Sequence, residues 1–152
     1  MPLFQRSCVV QAPISDVFAF HLDTRNAARI SPRTLPVLDV RGSFPLREGD
    51  VVEIVVRLWP TPLRQTWRVE AAQIVEPTLV VDRMLEGPFP SWVHQHRFED
   101  LGDGTTRVTD HIDYQLPLGP LGRVADAVLV RRMLGRAFAS RQAVTQELLA
   151  RP

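Results

Sequence analysis

The 152-residue sequence contains one cysteine, one tyrosine and no lysine, and it has no long uninterrupted hydrophobic run. The single cysteine, Cys8, excludes an internal disulfide and a metal site built from several thiolates. Because lysine is missing, all 18 basic residues are arginines, and 17 acidic residues reduce the net charge to +1. This balance argues against nucleic acid or an anionic membrane as the partner, and stable membrane insertion is not expected.

The first twenty residues include Asp16 and no continuous apolar stretch, so we expect no secretory signal peptide. An apolar content of 45% with 23% charged residues is ordinary for a soluble globular protein. A chain of this length can bury one hydrophobic core without disulfides or metals. We therefore expect a single domain over residues 1–152, located in the cytoplasm.

Apolar runs separated by glycine and proline turns predict a sheet of about seven strands. The predicted strands are residues 3–11, 35–41, 50–58, 63–75, 78–86, 91–99 and 105–116. Short connections between successive strands favour antiparallel pairing. Two short helices should follow the first strand, one beginning at Pro13 and one over residues 24–30, because Ser31 precedes a proline and leaves the helical region.

Residues 121–149 contain no proline and predict one long C-terminal helix. Its apolar stripe changes sides near residues 130–132. The first side carries Leu121, Val124, Ala125, Val128 and Leu129; the second carries Met133, Leu134, Ala137, Phe138, Val144 and Leu148. We expect the C-terminal half to grip the sheet, and the N-terminal half to cover the mouth of a container or to contact a partner. Gly135 could allow a bend near the switch.

The alternation of the last two strands identifies the side chains that should face the interior. On residues 91–99 the inward set is Trp92, His94, His96 and Phe98; on residues 105–116 it is Val108, Asp110, Ile112 and Tyr114. The connecting turn allows two registers, with Phe98 opposite either Val108 or Thr106. Asp110 then faces His96 in the first register and His94 in the second.

These segments together resemble the START-like helix-grip (SRPBCC) superfamily, and in particular its bacterial polyketide cyclase/dehydrase and lipid-transport branch. The resemblance is carried by residues 12–20 (APISDVFAF), 30–32 (ISP), 87–89 (GPF), the inward set of residues 91–99, Thr109-Asp110, Tyr114 and residues 116–122 (LPLGPLG). It implies an α+β helix-grip fold in which a bent, seven-stranded antiparallel sheet wraps around the long C-terminal helix. It also implies a ligand cavity between sheet and helix.

Two imidazoles and one carboxylate on a mostly apolar face allow several kinds of chemistry. His94, His96 and Asp110 could fix the polar end of a ligand, with Tyr114 adding a hydroxyl. They could act as acid and base on a polyketide-like substrate, as in a cyclase or dehydratase. They could also simply satisfy one another. The two histidines and the carboxylate of Asp110 could also bind a metal, but no further Cys, Asp or Glu is clearly aimed there, so no metal or other cofactor is expected.

We expect binding or carriage of a small hydrophobic or amphipathic molecule, such as a lipid, a polyketide-like aromatic or an isoprenoid. The expected ligand-binding residues are Trp67, Trp92, His94, His96, Phe98, Asp110, Ile112 and Tyr114. The alternatives are a cyclase or dehydratase and a non-catalytic protein that binds a partner. Trp59, at a predicted hairpin tip, would serve as a rim, lid or partner contact, or would fold back onto its own hairpin. An oligomer is not predicted.

Overall fold

A computed structural model describes residues 2–58 and 60–150, so the expectations for Trp59 lie outside the described residues. Its centre is a seven-stranded antiparallel sheet with the strand order β1-β7-β6-β5-β4-β3-β2. The strands are β1 (Leu3–Val10), β2 (Val37–Arg41), β3 (Val51–Arg57), β4 (Arg64–Val75), β5 (Leu79–Glu86), β6 (Ser91–Asp100) and β7 (Thr106–Gln115). After the β1–β7 pair, each strand pairs with its neighbour in the chain, as the short predicted connections required.

Two short helices follow β1, and a long helical segment ends the chain. The helices are α1 (Ile14–Leu22), α2 (Asn26–Ile30), α3 (Gly119–Ala125) and α4 (Arg131–Leu149), and a π-helical turn (Asp126–Val130) joins α3 to α4. Pro13 precedes α1 in an extended conformation, and Asp16 lies in its positively polarised first turn. The architecture is the predicted helix-grip fold. No described helix has both the length and the hydropathy needed to cross a bilayer.

Strand β7 has a clean period of two, and its alternation confirms the predicted inner face. Every second residue of the strand is buried, while the intervening residues are exposed or half-buried. The buried residues are Thr106, Val108, Asp110, Ile112 and Tyr114. Phe98 pairs with Val108, which selects the first of the two predicted registers and places His96 directly opposite Asp110.

The N-terminal half of the long helix turns towards the sheet a face other than its apolar stripe. Its inward positions are Gly122 and Asp126, which are buried, followed by half-buried Val130. The apolar side chains of the predicted stripe are 57% to 72% exposed: Leu121, Val124, Val128 and Leu129. No described residue therefore covers that apolar face, and its role in covering the container or contacting a partner stays a prediction.

The π-helical turn helps to keep one side of this helix towards the sheet along its length. Inward positions recur every four residues from Gly122 through Gln142, a spacing that drifts around an ordinary helix of 3.6 residues per turn. A π turn is wider and offsets part of that drift. The irregularity therefore lies at Asp126–Val130 and not at Gly135, which is inside the continuous helix α4.

Helix α4 grips the sheet with fewer apolar residues than predicted. Leu134 and Phe138 are buried as expected, but Met133 is 58% exposed and Leu148 is 40% exposed. Polar side chains take part in their place. The side-chain amides of Gln142 and Gln146 donate to the backbone carbonyls of Arg6 and Val9 at 3.3 and 2.8 Å. Since β1 is an edge strand, the amide of Gln146 satisfies the carbonyl of Val9, which points away from β7.

Candidate functional site

Three neighbouring strands bring two histidines and two aspartates together on the inner face of the sheet. Asp82 on β5 is the direct neighbour of His94 on β6. His96, two residues further along β6, is the direct neighbour of Asp110 on β7. The four side chains therefore occupy the corners of a parallelogram that spans three strands, because side chains two residues apart on a strand point to the same side.

Hydrogen bonds connect all four corners. Asp110 Oδ1 accepts from Nε2 of His94 at 2.9 Å and from Nδ1 of His96 at 3.1 Å. Nε2 of His96 lies 3.0 Å from Oδ2 of Asp82. Because an ionised carboxylate can only accept, both ring nitrogens of His96 carry hydrogen in this arrangement. The His94 and His96 rings also lie against each other, with centroids 3.8 Å apart.

The two histidines of the cluster differ in charge. Burial by itself would lower the pKa of His96, but its hydrogen bonds to Asp110 and Asp82 outweigh burial and raise the pKa to about 9. For His94, burial and the nearby charge of His96 lower the pKa to about 4. At neutral pH the cluster therefore contains one imidazolium, one neutral imidazole and two carboxylates.

A third histidine, His21 of α1, borders the cluster. Its ring centroid is 5.4 Å from that of His96, and its Nδ1–H donates to the carbonyl of Val17 at 2.8 Å. Burial and the charge of His96 lower the pKa of His21 to about 4. This ring is thus neutral, and its Nε2 carries a lone pair.

Asp110 is the hydrogen-bonding centre of the site. Burial would raise its pKa, but the hydrogen bonds from His94 and His96 hold the pKa well below its ordinary value. Its second oxygen accepts from Nε2 of Gln142 at 2.8 Å, which links α4 to β7. Helix, sheet and cluster are therefore held together through one buried carboxylate.

Aromatic side chains surround one end of the cluster. Trp92 stacks on Phe89 at a centroid distance of 4.8 Å and lies 6.0 Å from Tyr114. Phe138 of α4 meets the edge of His94 at 5.3 Å. These residues pack around Ile112, which is fully buried.

Two of the expected ligand-binding residues lie elsewhere. Phe98 belongs to the core, where its ring meets Phe18 at 5.4 Å and His21 at 4.9 Å. Trp67 lies on β4 opposite Ile54, half-buried, and its indole N–H donates to Gln65. Among the ring contacts of the described residues, Trp92 meets His94 of the cluster, Phe98 reaches only the neighbouring His21, and Trp67 meets neither histidine. Contact of Trp67 with a ligand stays a prediction.

The interior beside Asp110 is filled, in contrast to the hollow that the sequence led us to expect. The space enclosed there between sheet and α4 has a volume of about 10 Å³, which is the size of a single water molecule. It is lined by Cys8, His21, Ile30, Val108, Asp110, Arg141, Gln142 and Thr145. The alternation of the strands predicted which side chains point inward, but whether they line a space or fill it depends on their packing.

A larger cleft of about 650 Å³ opens at the end of β7, beneath α3 and the π-helical turn. Its lining residues are Pro2, Gln115, Leu116, Gly119, Gly122, Arg123, Asp126 and Arg131. Leu116 also packs against the aromatic side chains of the inner face. Asp126 also accepts a hydrogen bond from the hydroxyl of Tyr114. The cleft therefore borders the inner face through these two residues.

Sequence reasoning missed three polar residues of the site: Asp82, Asp126 and Gln142. A signal for Asp82 was available, since it shares its face of β5 with Val80, two residues earlier, which is 2% exposed. Asp126 and Gln142 were not predicted, because only apolar side chains were expected on the inward face of the last helix. Both are 6% exposed and lie on that face.

Solved structures with low sequence identity share this fold. A protein from Nitrosomonas europaea is 12% identical and superposes with a TM-score of 0.74, over 97% of this chain and 93% of its own. The di-domain ARO/CYC StfQ from the steffimycin biosynthetic pathway is 13% identical, with a TM-score of 0.76, over 97% of this chain and 50% of its own. Norcoclaurine synthase from Thalictrum flavum, in complex with dopamine and hydroxybenzaldehyde, is 10% identical, with a TM-score of 0.71 over 97% and 85%.

Among curated proteins, no sequence matches the chain. A family model, in contrast, matches residues 1–146 and is described as "Polyketide cyclase / dehydrase and lipid transport". This match covers every strand and nearly all of the C-terminal helix. The chain therefore belongs to the polyketide cyclase/dehydrase and lipid transport family.

Proposed function

We propose that the protein binds and carries a small amphipathic molecule that has an apolar body and an anionic end. The observation that carries this proposal is the cleft beneath α3, whose volume of about 650 Å³ falls within the range of small-molecule sites. The family and the helix-grip neighbours support the same class of function. A polyketide-like aromatic acid, a fatty acid or an isoprenoid phosphate has the required chemistry.

The two ends of the cleft suit the two ends of such a molecule. At one end, Leu116 packs against the aromatic side chains around Trp92 and Tyr114, and together they form an apolar wall. Arg123 and Arg131 line the opposite side and are exposed. A guanidinium pairs well with the planar or branched oxygens of a carboxylate, sulfonate or phosphate.

Deeper entry to the inner face requires α3 and the π-helical turn to move. The exposed apolar residues of this segment and the tie between Asp126 and Tyr114 agree with a cover that opens and closes. In this proposal the apolar body of the guest replaces part of the packing around Trp92, while its anionic end stays at Arg123 and Arg131. The filled interior is then the closed, ligand-free arrangement.

The test is a fluorescence titration of the full chain with 1-anilinonaphthalene-8-sulfonate, which has an aromatic body and a sulfonate. Loss of one charged hydrogen bond costs about 1.5 kcal/mol or more, so Arg123→Gln should raise Kd about tenfold. Arg132→Gln is the matched control, because Arg132 is exposed and does not line the cleft. Equal affinities for the two variants would refute the cleft as the binding site. Native mass spectrometry of freshly purified protein should also show a co-purified guest.

The second candidate function is a cyclase or dehydratase that acts on a polyketide-like substrate. The observation that favours it is the placement of His94, His96 and Asp110 together beside an aromatic wall. With a candidate polyketide as substrate, His94→Ala and Asp110→Asn should then abolish turnover while ligand affinity largely survives. Parallel loss of turnover and affinity would reject catalysis and leave the carrier proposal standing.

A further inference from the structure

Asp82, His94 and His96 converge on the inner face from two adjacent strands. One carboxylate oxygen of Asp82 and one ring nitrogen of each histidine lie within 4.8 Å of one another. Both histidines are buried, and the Asp82 side chain is 24% exposed. This is a compact set of three donor groups with one side open to solvent.

From this convergence we infer a binding site for one divalent transition-metal ion of the zinc class, with Asp82, His94 and His96 as the protein ligands. Two imidazole nitrogens and one carboxylate oxygen suit Zn²⁺, Co²⁺ or Fe²⁺, whereas Mg²⁺ and Ca²⁺ prefer oxygen ligands alone. Three protein ligands leave a fourth position in a tetrahedral shell for water or for an oxygen of a guest. The sequence predicted no metal because no further ligand was clearly aimed at the histidines, and Asp82 is such a ligand.

Asp110 supports the site from its far side. Its Oδ1 accepts from Nε2 of His94 and from Nδ1 of His96, at 2.9 and 3.1 Å. A carboxylate that fixes one nitrogen of a histidine ring orients the ring and leaves the other nitrogen for an ion. Gln142 holds Asp110 in turn, through its Nε2 at 2.8 Å from Oδ2. The rings are therefore oriented before any ion arrives.

Charge and access also fit a dication. Asp82 and Asp110 bring two carboxylates to the cluster, one as a ligand and one as a support. The side chains of His94 and His96 are only 6% and 7% exposed, so the partly exposed Asp82 is the side from which an ion would enter. Arg141 is one opposing cation, and its charge acts on both carboxylates. The imidazolium of His96 is another, so the ion displaces the proton of His96 Nε2 to solvent when it binds.

The experiment uses the full chain after treatment with a chelator. Isothermal titration with Zn²⁺ should give one equivalent bound, and Co²⁺ should develop the visible absorption of a tetrahedral site with nitrogen and oxygen ligands. Asp82→Asn and His96→Ala should each weaken Zn²⁺ binding at least a hundredfold. Asp110→Asn should weaken it ten- to a hundredfold, as is usual for a group that supports a ligand.

His111→Ala is the matched control, because His111 faces the other side of β7 beside Asp113, at 3.4 Å. It should retain the full affinity for Zn²⁺. Absence of binding by the parent protein, or equal affinity for the parent and Asp82→Asn, would overturn the inference. If His96→Ala fails to fold by circular dichroism, Asp82→Asn decides alone, since it keeps the shape of the side chain. The sulfonate titration of the cleft is measured separately, so a failure of either proposal leaves the other intact.

Discussion

Tyr114 on β7 donates its hydroxyl to the carboxylate of Asp126, the first residue of the π-helical turn, and both residues are buried. Burial and the adjacent carboxylate raise the pKa of Tyr114 above its ordinary value, so the hydroxyl keeps its proton. Arg131 lies 3.4 Å from the other oxygen of Asp126. The hydrogen bond between Tyr114 and Asp126 fastens the N-terminal half of the long helix to the sheet at the edge of the cleft.

Tyr114→Phe should loosen that half of the helix. The substitution removes one hydroxyl and leaves a buried carboxylate short of a donor, which costs about 1–3 kcal/mol of unfolding free energy. Urea denaturation measures this loss, and hydrogen exchange should show faster exchange at residues 119–130. Ser7→Ala removes an exposed hydroxyl bonded to Thr109 and should change stability by less than about 0.5 kcal/mol. Unchanged protection of residues 119–130 would contradict a fastening role for Tyr114.

Two glycines of the long helical segment, Gly122 and Gly135, should respond oppositely to alanine. A methyl group on Gly122 would clash with the carbonyl oxygen of Pro117, so Gly122→Ala should displace α3 and destabilise the protein. Gly135 has open space around it, and Gly135→Ala should add up to about 1 kcal/mol from helix propensity. Thermal unfolding of both variants tests the pair. A stabilising effect at Gly122 would show that α3 does not pack closely on the end of β7.

Asp110→Asn should destabilise the chelator-treated protein by about 3 kcal/mol, because it removes one partner from a buried, charged network. Asp110 accepts hydrogen bonds from His94, His96 and Gln142 through its two oxygens. The side chain of asparagine has only one oxygen that can accept, because its other polar atom is a donor. Asp113→Asn is the control on the same strand, with a side chain that is 38% exposed. Urea denaturation should separate the two variants clearly, and a similar small effect for both would argue against a central role for Asp110.

Cys8 should be a slow nucleophile in the folded protein. Burial, together with the charge of Asp110, raises its pKa from 9.0 to about 11. Thiolate at pH 8 is then about a hundredfold rarer than in the unfolded chain, and alkylation should slow by a similar factor. Iodoacetamide labelling with and without urea measures the ratio. The pKa of the thiol is lower in the unfolded chain than in the folded protein. The stabilisation that comes from keeping Cys8 protonated should therefore be complete below pH 9 and lost as the pH rises towards 11.

Strands β6 and β7 show why part of the site could be predicted. Side chains alternate strictly along a strand, so the choice of one apolar face placed His94, His96 and Asp110 on the same side without any knowledge of the fold. The pairing of Phe98 with Val108 was one of only two registers allowed by the turn. Asp82 was not predicted as a site residue, because the two faces of its strand were not assigned from the sequence.

Helix patterns carried less information, because a helix can turn more than one face towards its neighbours. The apolar stripe of residues 121–129 predicted a packed surface, yet the buried positions there are a glycine and an aspartate. The π-helical turn and the hydrogen bond between Asp126 and Tyr114 depend on contacts with β7. The sequence of residues 121–130 by itself cannot predict such contacts. Local periodicity therefore did not reveal which residues of this segment face the sheet.

The sequence alone determined the strand order along the chain, the inner face of β6 and β7, the helix at the C-terminus and the family of the protein. The strands, the inner face and the helix follow from local backbone geometry, since turn residues end strands and a period of two selects a face, whereas the family was predicted from the resemblance of particular sequence segments. Only the tertiary structure decided that the space beside Asp110 is filled, that a cleft opens beneath α3 and that Asp82 joins the histidines. Those features depend on side-chain volumes and on neighbours far apart in the chain, and no short stretch of sequence encodes them.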